Sequence, residues 1–251
     1  MLGSPTIRTL ALCPLMVGLW AAGTNVSAHT SVKAQATEGL TEDNALKIGH
    51  GCAAIYGGPD RPVIAQSVVF PGEVAELSAS DGSTLADLSG VIEQGSLAGL
   101  FDTIQDKSIF PIQGEQRDAN GNEMGFFGRN GKLDINFGGR VPFQVTAPNF
   151  IATSCVKRLL VEIAVADICD TSPPTIRSHK VNLWVPDNGS RFANQGAANG
   201  VEGIGEAATL IVNRDLIGNP LNAACGAGID VTVTPTAADV NTYLPIPGYW
   251  R

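Results

Sequence analysis

The chain has 251 residues, with 24 acidic against 16 basic side chains, for a formal charge of −8 and a pI of 4.8. That balance, with no basic run, removes nucleic acid and anionic membrane from the expected partners and suits a protein that meets cations. The length allows one large domain with a proper core or two small ones.

Residues 1–28 fit an export signal: Arg8 is the basic start, Leu10 to Ala22 the apolar run, and Val26-Ser27-Ala28 the small-residue cleavage site. The run is interrupted by Pro14 and Gly18 and is shorter than the about 20 residues of a spanning helix. It therefore reads as a cleaved signal and not as a membrane anchor. Leu12 before Cys13 argues against a lipoprotein site. The expected product is an exported bacterial protein of the periplasm, the outer-membrane surface or the medium. It comprises residues 29–251 as one β-rich domain.

Along that product, apolar alternation and β-branched runs predict strands at Ala45 to His50, Val63 to Phe70, Val141 to Thr146 and Leu160 to Ile168. Three more follow at His179 to Val185, Thr209 to Asn213 and Ile229 to Thr234. Gly57-Gly58-Pro59, Asn130-Gly131, Pro173-Pro174 and Asp187-Asn188-Gly189 punctuate them as turns. Leu85, Leu88, Val91 and Ile92 fit one helical face, which predicts a short helix within Thr84 to Lys107. Arg191 to Glu206, rich in Gly, Asn and Ala, reads as a long loop. The fold class is mainly β, an antiparallel β-sandwich with one short helix, stapled by disulfides.

Four cysteines follow the cleavage site: Cys52, Cys155, Cys169 and Cys225. An even count in an exported chain predicts two disulfides, with three pairings open. No C-x-x-C pair occurs, which removes a zinc thiolate site or a redox motif. Asp118, Asn120 and Asn122 alternate as in a calcium loop, but the glycine and the closing acid are misplaced, so a polar turn is expected. G-x-S-x-G and H-E-x-x-H are absent.

Three histidines occur in the whole chain: His29, His50 and His179. Cleavage after Ala28 makes His29 the N-terminal residue, with a free α-amine and an imidazole that together chelate one ion. Copper favours such nitrogen donors most. One further imidazole, from His50 at a strand end or from His179, would complete a three-nitrogen set. Trp184 lies five residues after His179, an odd spacing that puts the two on opposite faces of a strand and favours a core position for Trp184.

The segments Ala28-His29-Thr30, Asn44 to Cys52 (NALKIGHGC) and Pro62 to Pro71 (PVIAQSVVFP) resemble the exported copper proteins of methanotrophic bacteria, the copper-repressible surface-associated family. More distantly they resemble YcnI-like domains. The resemblance is strongest over residues 28–71. A YcnI-like domain implies copper on the terminal His29 with a carboxylate and a nearby tryptophan. By position, Glu73 or Glu76 is the candidate carboxylate and Trp184 the candidate tryptophan beside the ligands. The methanotroph family implies two histidines beside an oxidisable tryptophan, but its Trp-x-His arrangement is absent: Pro186 stands two residues after Trp184.

The leading expectation is an exported copper-binding protein that scavenges, holds or delivers the ion, with a copper importer or an exported peroxidase as its partner. One alternative is a copper-dependent oxidase or monooxygenase with a histidine brace. Another is a surface-interaction protein that binds no metal.

Overall fold

A computed structural model describes residues 29–52 and 60–251. The expected export signal and the Gly57-Gly58-Pro59 turn lie outside the described residues.

Among the described residues, thirteen strands and two short α-helices follow in chain order. The strands before the longest one are β1 (Ser31–Val32), β2 (Ala36–Thr37), β3 (Thr41–Ile48), β4 (Ala65–Val69), β5 (Ala75–Ala79), β6 (Phe101–Thr103), β7 (Ile112–Arg117), β8 (Glu123–Arg129) and β9 (Gly139–Thr146). Then come β10 (Val156–Ile168), β11 (Val181–Trp184), α1 (Arg191–Ala198), β12 (Ala208–Asn213), β13 (Ile229–Pro235) and α2 (Ala237–Tyr243). The expected mainly-β architecture is present, and all seven strands predicted from the sequence coincide with observed ones.

β10 organises the larger sheet. Its first half pairs antiparallel with β12 and parallel with β13, and its second half pairs antiparallel with β4 and β11. Its side chains alternate faces as a strand dictates. Leu159, Val161, Ile163 and Val165 face one core, while Ala164, Ala166 and Ile168 face another. The first core is closed by a smaller sheet in the order β1-β3-β9-β6. Phe70 and Phe126 of the large sheet meet Phe101 and Phe143 of the small one there, with Phe70 and Phe101 stacked at 3.8 Å. The second core is covered by α1, α2 and the C-terminal segment, where Trp250 stacks on Phe192 at 5.3 Å. A small sheet, a large sheet and a thin helical layer thus lie one on another.

Two disulfides fix this arrangement, Cys52–Cys169 and Cys155–Cys225. The first ties the chain beyond β3 to the end of β10. Among the described residues, no helix is long and apolar enough to cross a membrane.

Two expectations need correction. The segment Thr84 to Lys107 holds turns and β6, not a helix. Asp87 captures the backbone N–H and the hydroxyl of Ser89, and Gly95 adopts φ 70°, so the turn around Leu88 cannot propagate. Its apolar side chains Leu88, Val91 and Ile92 still reach the core. Conversely, Arg191 to Glu206 is not simply a loop, because it begins with α1. The Ser190 hydroxyl accepts the Ala193 N–H and caps that helix. Its buried face is Phe192, Ala193 and Gly196, and a Cβ on Gly196 would come within 2.6 Å of Ile204. Close packing therefore requires the glycine that made the segment read as irregular. The DANGN segment is the expected polar turn: the Asp118 carboxylate accepts the backbone N–H groups of Asn120 and Asn122.

Candidate metal centre

The site starts from one buried acid. Asp167 is an odd-numbered residue of β10, so it points into the space between the two sheets. It stands opposite Gln66 on β4 and Asn182 on β11. Gln66 Nε2 donates to its Oδ1 at 2.8 Å. Trp184, diagonal to it across the β10–β11 pair, donates its indole N–H to Oδ2 at 2.8 Å. The Thr30 hydroxyl donates to the same Oδ2 at 2.5 Å. Asp167 therefore joins β4, β10, β11 and the segment that leads into β1.

Burial pushes the Asp167 carboxyl above the ordinary aspartate range, against the opposing pull of the hydrogen bonds from Thr30, Gln66 and Trp184 and of the nearby His50 charge. The folded state then holds this proton more tightly than the unfolded chain does. The stability it contributes is full below the unfolded value and is lost as pH rises through the raised folded value.

Thr30 in turn fixes His29. The His29 ring stacks on Trp184 with centroids 4.7 Å apart and planes at 27°. Its Nδ1 lies 3.2 Å from Oε2 of Glu206. Glu206 is brought there by the chain after α1. The Gly205 N–H donates to Val185 O and the Glu206 N–H to Gly203 O, which closes a turn. Gly203 adopts φ 96° and lies flat on the Trp184 ring, where a Cβ would come within 2.6 Å of the indole. The Gly-x-Gly pattern here is thus a packing device. One indole carries the histidine ring, the glycine turn and the hydrogen bond to Asp167.

His29 and Glu206 stay partly open to solvent, with side-chain exposures of 32% and 52%. His29 also lines a cleft of about 510 Å³ with Ser31, Lys47, Ile48, Gly49, Gly138, Gly139 and Arg140. Two donors on one ion, each at about 2.0 Å and at right angles, stand roughly 3 Å apart. The His29–Glu206 spacing meets that requirement with little movement. An imidazole nitrogen and a carboxylate oxygen are both ligands that divalent copper accepts. The amine that cleavage after Ala28 would expose lies on the same residue.

The other expected ligands are placed differently. His50 lies close to His29 along the chain path, because the β1–β3 register carried one step past Thr30 sets His29 opposite Gly49. Its Nδ1, however, pairs with the Gly51 carbonyl, and it lines a separate cleft with Cys52, Asp60, Ile135 and Asn136. His179 precedes β11, while Trp184 ends it. His179 lies two residues before β11 begins at Val181, outside the strand that carries Trp184. His179 takes a left-handed φ of 60°, and its Nδ1 is buried without a partner. Among the described residues no three His, Cys, Asp or Glu side chains form a group able to hold a metal. The three histidines therefore do not make one cluster.

Trp184 is buried, as its expected core position requires, and its ring stacks on His29. Glu73 is exposed in the connection from β4 to β5, and β5 forms an edge on the β13 side of the large sheet. The carboxylate beside His29 is Glu206 instead. Sequence reasoning missed both Glu206 and Asp167. An acid between Ala166 and Ile168, in the fully buried end of β10, was the available signal for Asp167.

No family model matches the sequence, and no curated protein matches it.

Proposed function

We propose that this chain is an exported copper-binding protein that holds or hands on a single ion at His29. One observation carries the reading. His29 is pinned through Thr30 to a buried carboxylate, laid on Trp184, and faced by Glu206 at 3.2 Å. A frayed terminus has no reason to be built into the core in this way. With cleavage after Ala28, the His29 amine and Nδ1 supply two nitrogen donors and Glu206 supplies an oxygen. His50 and His179 are not needed. A histidine-brace oxidase calls for a second imidazole on the same ion, and the side chain that faces His29 is the Glu206 carboxylate, which supports holding or delivery over oxygen chemistry.

The indole under His29 makes the test direct. Copper(II) bound at His29 quenches Trp184 emission. Titration of residues 29–251 should therefore end at one copper per chain with strong quenching. The quenching should persist in Trp250→Phe and be largely absent in Trp184→Phe. Quenching that follows Trp250 instead would place the ion elsewhere. Glu206→Gln keeps the side-chain shape and removes the charge. It should weaken copper binding by about 100-fold or more, beyond what a change outside the ligand set costs, with unchanged thermal stability. An unchanged dissociation constant would remove Glu206 from the site.

A further inference from the structure

The cleft beside His29 has a charge pattern that the copper reading does not use. Lys47 on β3 and Arg140 on β9 are direct antiparallel partners, and both are exposed and line this cleft. Like charges set directly opposite one another on a sheet repel. Among the described residues neither makes an ion pair, so no carboxylate offsets either charge in the cleft. Ser31 stands opposite Lys47 on the other side, so a hydroxyl, an ammonium and a guanidinium form one row across β1, β3 and β9. Gly49, Gly138 and Gly139 contribute no side chains to the cleft walls. The result is a local cationic pocket in a chain with an excess of acids, and it opens beside the imidazole that would receive the ion.

We infer that the protein takes its copper from an anionic oxygen-donor chelate of the polycarboxylate class. The free carboxylates of the chelate dock on Lys47 and Arg140 while its copper faces His29 and Glu206. This inference rests on the proposed copper site. A body with net negative charge repels such a complex at long range, and two unpaired cations in a cleft reverse the sign of the field where the chelate must arrive. The planar guanidinium suits a bidentate carboxylate, and the ammonium adds a point charge beside it.

The test compares copper(II) citrate with the uncharged copper(II) bis-glycinate complex as donors to residues 29–251, with loading followed by Trp184 emission. Lys47→Gln with Arg140→Gln, at exposed positions, should slow loading from citrate roughly tenfold, as two partly screened charge contacts imply. Loading from bis-glycinate should be unchanged, and the difference should shrink in high salt. Equal slowing from both donors, or no slowing from either, overturns the inference and leaves the copper site standing. Wild-type protein that accepts copper from neither donor overturns the copper reading itself.

Discussion

Asp167→Ala should cost about 3 kcal/mol of stability, because it strands the buried donors of Gln66 and Trp184 and frees the Thr30 hydroxyl. For a chain of this size that is a fall in Tm of about 6–12 °C. The loss should not be confined to stability. Thr30 and Trp184 hold His29 from two sides, so the variant should also bind copper less tightly under conditions where it remains folded. Asp167→Asn separates charge from shape. It keeps one acceptor but turns an amide N–H₂ toward one of the existing donors, so its Tm should lie between those of Asp167→Ala and wild type.

The pH dependence has a definite sign. The raised Asp167 carboxyl makes wild-type stability fall as pH rises through its folded value, and Asn has no such proton. The stability advantage of wild type over Asp167→Asn should therefore be largest on the acid side and shrink as pH increases. Carboxyls held below their usual range act in the opposite direction, among them Asp230 beside Arg158. They are common to both proteins and cancel in the difference. Paired denaturant unfolding curves across the acid range check this. An advantage that grows with pH would mean that the hydrogen bonds outweigh burial at Asp167.

The long strands were legible because their cause is local. Alternation in VIAQSVVF and LVEIAVADI is a direct imprint of two buried faces. The alternation expected to relate His179 to Trp184 does not apply, because His179 lies before β11 with a left-handed φ of 60°. The short strands β1, β2 and β6 have two or three residues each, too few to carry a period. α1 was hidden because its packing against Ile204 and Leu183 demands Gly196, a residue that weakens helices in isolation. The Leu88 turn showed a helical period, but an Asx contact at Asp87 ended it.

The site was half legible. His29 stood out through the small-residue pattern before it, and Trp184 through its scarcity. Glu206 could not be found from spacing, because the fold brings it to His29 from the far part of the chain through a glycine turn laid on an indole. Glu73 was nearer in sequence but sits on the wrong edge. His50 and His179 attracted attention as imidazoles. One is occupied by its neighbour's carbonyl, and the other lies at the far end of β11.

The central claim is that the terminal amine of His29 is a copper ligand, which makes the free terminus the decisive variable. Copper(II) affinity and electron paramagnetic resonance spectra should be measured for the chain beginning at His29 and for the same chain with one alanine added before it. The addition turns the amine into an amide and breaks the chelate ring while leaving the folded body intact. Affinity should fall by more than about 100-fold, beyond what changes outside the ligand set cost, and the nitrogen hyperfine pattern should lose one donor. Equal affinity and identical spectra for the two chains would contradict the account.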